Sequence, residues 1–325
     1  MRWRGASGVD PVRALGAAVL VGLILLSLAL GASSLSLHDL LLTPEGRALA
    51  LESRVPRTFA ALLAGAGLAV SGQVMQVLAR NRFIEPMTAG AGQSAALGVL
   101  LCTVYLPAAA IGVKMGAAAL AALAGSLGLM ALIRPLPPTQ PLLVPLVALV
   151  YGGVIGAVVT FVAYQGDMMQ FLGTWLTGEL SGVLRGRYEL LWIAALASGV
   201  TYLIADRLSL LALGEDAARA LGLNVGLVTA AAVAAVSVVT AMVVVTLGAI
   251  PFVGLVVPNL TTRLTGDNLR QALPLTALFG AVLVLAADVL GRVIRAPYEV
   301  PVATTIAVIG ATAFVILLNR GRSGV

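Results

Sequence analysis

The chain has 325 residues, 60% of them hydrophobic and 10% charged, with a net charge of +6 and a mean hydropathy of +1.03. A soluble domain carries roughly 25% charged residues, so charge this sparse excludes a water-soluble globule and turns the outer surface toward lipid. A positive balance would suit a nucleic-acid partner, but the basic residues fall in short clusters between apolar runs with little aromatic interleaving. The positive-inside rule accounts for such clusters, and no nucleic-acid partner is expected.

In chain order, Arg2, Arg4 and Arg13 precede an apolar run from Ala14 to Ala32. That run exceeds the roughly 7–15-residue core of a cleaved signal peptide, so a retained signal-anchor helix is expected. Apolar segments follow near 57–78, 86–106, 111–133, 142–164, 188–206, 226–247, 249–263, 273–294 and 303–318, the first lying near 14–35. The sequence therefore predicts an all-α integral membrane protein of about ten crossings, forming one domain over 1–325. The 249–263 segment is short and carries Pro251 and Pro258, which predicts a broken or tilted crossing. Irregular backbone is tolerated at membrane depth where protein shields it.

Ten crossings put both termini on one side, the cytoplasm if the basic bias is read as usual. Arg47, Arg54, Arg57, Lys114, Arg185, Arg187, Arg292 and Arg295 then fall outside and the other twelve of the 20 basic residues inside. The cations left outside call for an explanation of their own.

The energy source is legible from what is missing. A nucleotide-binding P-loop needs a lysine that reaches the phosphates, and the single lysine here, Lys114, sits in Ile-Gly-Val-Lys-Met-Gly. ATP-driven work would need a second polypeptide. One cysteine, Cys102, and one histidine, His38, point away from a disulfide or a protein-built metal centre. Most of the 14 acids lie in loops or at helix ends. Asp288 is the deepest, and Arg292 four residues on can pair with it, so the acid reads as structural rather than as a proton site.

Two clusters stand out. In Glu52-Ser-Arg54-Val-Pro-Arg57 the arginines are three apart at the mouth of a helix, and Arg292 and Arg295 repeat that spacing. They read either as snorkelling interfacial cations or as a positive rim that docks an acidic partner or steers an anionic ligand. In Leu208–Val225 an apolar stripe of Leu213, Ala217, Ala218 and Leu221 lies at helical spacing, with Glu215, Asp216 and Arg219 off it and Gly214 and Gly222 bracketing the helix. That segment reads either as a helix lying on lipid or as one that fits a groove in a cytoplasmic partner.

The strings RVPRTFAALLAGAGLAVSGQVMQ (54–76), RNRFIEPMTAG (80–90), ALGEDAARALGLNV (212–225), GAIPFVGLVVPN (248–259), GDNLRQALP (266–274), AADVLGR (286–292) and EVP (299–301) resemble, in order and over essentially the whole chain, the iron-siderophore and vitamin B12 permeases of type II ABC importers. The resemblance implies a homo- or heterodimer of ten-helix subunits in the inner membrane with a pathway between them. Two ATPase subunits holding ATP and Mg would sit below, and a periplasmic or lipoprotein binding protein above. It implies that Arg54, Arg57 and Arg292, with Arg295 a weaker candidate, receive acids of the binding protein. By the same resemblance Leu213, Gly214, Ala217, Ala218, Leu221 and Gly222 carry ATPase movements into the membrane, and no cofactor belongs to this chain. Asn259, Asn81-Arg82-Phe83 and GDNLR resemble the branch handling ferric catecholates, with haem, cobalamin or an ion-coupled transporter as the alternatives. Ala303 and Thr312 replace a usual glycine and proline, which bears on the last crossing.

Overall fold

The computed structural model describes residues 9–30, 43–136, 140, 142–266, 268–295 and 298–321. Arg2, Arg4, His38, Arg322 and the 31–35 end of the first expected segment lie outside the described residues. The helices in chain order are α1 (Val9–Ala29), α2 (Pro44–Leu49), α3 (Val55–Leu78), α4 (Ala91–Tyr105), α5 (Ile111–Ile133), α6 (Leu143–Gln165), α7 (Met169–Leu176), α8 (Leu191–Leu203), α9 (Ala205–Ala212), α10 (Glu215–Ala220), α11 (Val225–Leu247), α12 (Val253–Thr265), α13 (Leu269–Ile294) and α14 (Val302–Gly321). A π-helical turn, Ala50–Arg54, joins α2 to α3. Apolar runs of Ala, Val, Leu and Gly offer the backbone no side-chain partners, and lipid offers no water, so each segment satisfies its amides internally as helix.

Each of the ten expected segments contains a helix. Among the described residues six helices are long and apolar enough to cross a bilayer, α8 and α9 form a span bent by 61°, and α4 and Val302–Ile316 of α14 are shorter apolar helices. The tenth, α12, has 13 residues, about 20 Å at 1.5 Å per residue, which is short of the roughly 30 Å hydrocarbon core. Non-helical backbone from Gly248 to Phe252 precedes it. The expected break is therefore present, but it falls at Phe252, in the left-handed region at φ 68°, while Pro258 lies inside the helix. In the last crossing α14 continues through Ala303 and Thr312.

Two boundaries differ from expectation. The polar stretch before Arg57 is helical from Pro44, so α2, the π turn and α3 run on as one 35-residue span. Thr43 starts it by accepting from the amide of Gly46 at 3.0 Å. The segment expected from 86 begins only at Ala91, after Gly90 at φ 97°, and residues 79–90 fold as an irregular linker instead.

The core is built on α3 and α11, whose apolar windows are 67% and 72% buried, against 11% for α1 and 22% for α6. The first pair is the axle and the second lies on the outside of the bundle. Glycine permits the close crossings. A Cβ on Gly65 would lie 2.3 Å from the carbonyl oxygen of Gly280 in α13, and one on Gly72 would lie 2.0 Å from that of Gly254 in α12. Such backbone-to-backbone approach is how helices associate where no hydrophobic effect drives them. A buried polar clamp ties the same three helices. Thr276 donates to Oε1 of Gln73 at 2.5 Å and shares a 2.8 Å hydrogen bond with Thr261.

Candidate functional site

The two sequence clusters lie at opposite ends of this bundle. At one end the C-termini of α1 and α13 meet the N-terminal turns of α3, and Arg54, Arg57 and Arg292 converge there. Arg54, 5% exposed, donates to the carbonyls of Leu28 (2.8 Å) and Ala29 (3.0 Å). Those belong to the last turn of α1, where carbonyls have no intrahelical partner and a cation suits the helix dipole. Arg292 does the same from α13, donating to the carbonyls of Ser27 and Leu30 at 3.0 Å each and to the Ser27 hydroxyl at 2.9 Å. Arg57 reaches the Asp288 carboxylate with Nε at 3.1 Å and Nη2 at 2.7 Å, and Asp288 also accepts from Arg292.

Asp288 is 2% exposed and sits between two guanidiniums. The pairing expected with Arg292 is present, and a second, long-range partner joins it. Glu299, on the short linker before α14, takes the outer edge of Arg57 at 3.0 and 2.8 Å. Arg295 stands apart on the exposed rim, its guanidinium 5.8 Å from the ring centre of Tyr298. Arg187, another of the cations assigned outside by sequence, donates to the carbonyl of Val245 at 3.2 Å. The surplus of cations at this end thus has a structural account, since several of them close helix termini.

At the other end, α9, α10 and the start of α11 form a turn of short helices. Gly214 has φ 117° and Gly222 φ 82°, a region glycine enters without steric cost, so both expected brackets are confirmed in place. The amide of Leu223 donates to the carbonyl of Ala218 at 3.0 Å and that of Gly222 to Arg219 at 2.9 Å, closing α10 in a Schellman-type cap. Asn224 then starts α11 by accepting from the amide of Leu227 at 3.1 Å.

The expected stripe divides here. Ala218 is fully buried against Ala205, Leu208, Leu211 and Leu269, whereas Leu213 and Leu221 are 67% and 61% exposed and Ala217 is exposed with them. Charges on α10 are solvated, with Arg219 paired to Glu215 at 3.0 Å. Between α10, the end of α3 and the facing ends of α5 and α6 lies an open cavity of about 620 Å³, with Arg80, Arg134 and Arg219 in its wall.

Sequence reasoning misses Glu85. It is as buried as Asp288, at 2% exposure, although it lies in the 79–90 linker outside the spanning helices. Its carboxylate accepts from the amide of Phe252 at 2.7 Å, and the amides of Gly254 and Leu255 and the Thr88 hydroxyl lie near enough to favour its charged form. Phe252 is the residue that opens α12, where the first amides have no intrahelical partner of their own, so Glu85 caps the start of that half-length helix from across the chain. Burial pushes its carboxyl up to about 7, against the hydrogen bonds, which pull it down. The available signal was an acid set among Phe83, Ile84, Pro86 and Met87 with no cation beside it after Arg82.

A bundle of long apolar helices, charge-capped at one end and with a glycine-bracketed helix at the other, is that of a multi-pass membrane protein, and its family match makes it a transport protein. Its residues 19–320 match the model of the FecCD transport family, and the chain belongs to that family. It is 40% identical over 271 residues to the ferric-anguibactin transport system permease protein FatD of Vibrio anguillarum, covering 83% of this chain and 86% of that one. It is 35% identical over 306 residues to the petrobactin import system permease protein YclN of Bacillus subtilis, with 94% and 97% covered. Identity to the vitamin B12 import system permease protein BtuC of Shigella boydii is 37% over 308 residues, with 92% of each covered. Among solved structures, an inward-facing conformation of a metal-chelate type ABC transporter superposes with a TM-score of 0.81 at 26% identity, covering 96% of this chain and 99% of the other.

Proposed function

We propose that this chain is the permease subunit of an ATP-driven importer that carries a ferric siderophore across the cytoplasmic membrane, with both termini in the cytoplasm. The observation that carries this reading is the full-length family match to permeases of anguibactin and petrobactin systems. It is supported by the two specialised ends. The arginine end would receive a periplasmic or lipoprotein binding protein, through Arg57, Arg295 and the buried cations Arg54 and Arg292 that shape the rim. The exposed Leu213, Ala217 and Leu221 would lie in a groove of the ATPase, with Ala218 and the Gly214 and Gly222 hinges transmitting its movement. ATP and Mg belong to two ATPase partners, and a second permease subunit completes the pathway. This chain itself is a transport component, not an enzyme. A ferric catecholate is the cargo favoured by Asn259 and the Asn81–Phe83 variant, and cobalamin is the competing cargo suggested by the vitamin B12 relative.

The test is uptake into proteoliposomes holding the assembled importer, with radiolabelled ferric catecholate, ferric hydroxamate and cobalamin compared. ATP-dependent uptake of an iron chelate, lost on replacing Ala218 with Glu, is the expected result. Uptake by the purified chain alone, driven by an ion gradient, would overturn the ATP-driven reading. Arg57→Glu is expected to abolish docking of the binding protein while the ATPase still copurifies. Undiminished docking would remove the arginine end from the mechanism.

A further inference from the structure

Arg57 is held by two carboxylates of different kinds. Asp288 is 2% exposed and shared with Arg292, and removing a buried acid from between two cations strands both of them. Glu299 is 30% exposed, comes from the linker between α13 and α14, and grips the guanidinium through both of its own oxygens, Oε1 to Nη1 at 3.0 Å and Oε2 to Nη2 at 2.8 Å. We infer that Glu299 is an internal placeholder for a carboxylate of the docking protein, occupying the outward edge of Arg57 until an incoming acid displaces it. This rests on the docking reading above and adds to it that docking is an exchange of one carboxylate for another.

The geometry of the guanidinium sets the site of exchange. Asp288 uses the Nε and Nη2 edge, on the inner side. A partner's acid has only the Nη1 and Nη2 edge to take, and Glu299 already occupies it, with a hydrogen bond from Nη1 and an ion-pair contact at Nη2, the edge through which an arginine pairs with a carboxylate. Exchange leaves the charge of the buried network unchanged, so the costly step of desolvating a lone cation never arises. The neighbours offer no equivalent edge, since Arg54 and Arg292 spend donors on the last carbonyls of α1.

The displaced segment is placed to report the event. Glu299 is followed by Val300, whose amide donates to the carbonyl of Gly291 at 3.0 Å. Two residues later α14 begins, and the amide of Ala303 donates to the carbonyl of Gly178 at 3.0 Å. Glu299 thus lies three residues before the last helix, next to the backbone bonds that set where that helix begins.

The experiment titrates the importer's own substrate-binding protein onto the assembled importer in nanodiscs at about 0.5 M salt, where charges beyond roughly 4 Å are screened. Glu299→Gln is expected to tighten docking roughly fivefold, because a neutral amide competes poorly for Arg57. Glu52→Gln, which neutralises another exposed acid at the same end, is expected to change it less than about twofold. If Glu299→Gln docks as wild type or more weakly while Arg57→Glu abolishes docking, Glu299 positions Arg57 and the exchange is overturned with the docking reading intact. Equal tightening by Glu52→Gln would also overturn it, in favour of general charge repulsion. Wild-type docking by Arg57→Glu would remove the docking reading and the exchange together.

Discussion

The two ends of this bundle use charge in opposite ways. At the arginine end, Arg54, Arg57 and Arg292 are buried or nearly so, and every one is matched to a carboxylate or to helix-terminal carbonyls contributed by a different part of the chain. At the coupling end, the Glu215–Arg219 pair on one short helix and the Asp206–Arg270 pair between α9 and α13 are both exposed. Apolar exposure does not separate them, since Leu213 and Leu221 stand in the open at the coupling end and Leu51, Ile294 and Tyr298 at the other. The contrast lies in burial: one end seals its cations inside the bundle and the other leaves its ion pairs in the open.

The sharpest way to break this comparison is at Asp288. Asp288→Ala leaves Arg57 and Arg292 without their shared buried counter-charge, a loss of roughly 3–5 kcal/mol by analogy with broken buried pairs. A large drop in melting temperature in detergent is expected, with Asp288→Asn intermediate because the amide still accepts one hydrogen bond. A change near zero would show that the network is not sealed and that the end is as open as the other.

Next in size is Glu85, which belongs to neither end and holds α12 between them. Its carboxyl in the folded chain lies at about 7, above the usual 4.5. Between those values the folded chain keeps a proton that the unfolded chain has released, so stability falls as pH rises through that window and levels off above it. Melting of wild type relative to Glu85→Gln, which cannot titrate, is therefore expected to worsen from about pH 4.5 to about pH 7. A flat difference across that range would mean that the carboxyl is not set by burial.

How much of this was legible in the sequence depends on where each partner lies along the chain. The ten helices followed from apolar runs, and the brackets at Gly214 and Gly222 followed from residue type, because both are local properties. The Asp288–Arg292 pair was legible for the same reason, being four residues apart on one helix. Arg57 with Asp288, Arg54 with the end of α1 and Glu85 with Phe252 were not, since each joins residues brought together only by packing. Spacing placed Arg54 and Arg57 on one face but did not reveal that α1 and α13 lie against it. The stripe on α10 was legible as apolar, but periodicity could not tell its buried Ala218 from its exposed leucines. The start of α3 was set too late for a related reason, since charged residues at 45–57 continue a helix when neighbouring helices supply their partners.

The smaller effects test whether the coupling end is as loosely built as it looks. Gly214 has open space where a Cβ would stand, so Gly214→Ala meets no clash, and its cost of about 1 kcal/mol comes from the backbone alone at φ 117°. On the proposed coupling role, uptake is expected to fall more than stability, because the angle at Gly214 would set how α10 meets its partner. Smaller still is Arg219→Ala. Its ion pair with Glu215 is an i,i+4 pair on an exposed helix, worth about 0.5 kcal/mol or less, so melting should be unchanged within error. Copurification of the ATPase gives the informative readout. If Arg219 serves only its own helix, the ATPase stays bound. Loss of the ATPase with no loss of stability would mean that the cation is held in reserve for a partner, as is proposed for Arg57 at the opposite end. The two ends would then differ in burial but not in purpose, since each would keep an arginine in a replaceable internal pair until an acidic partner claims it.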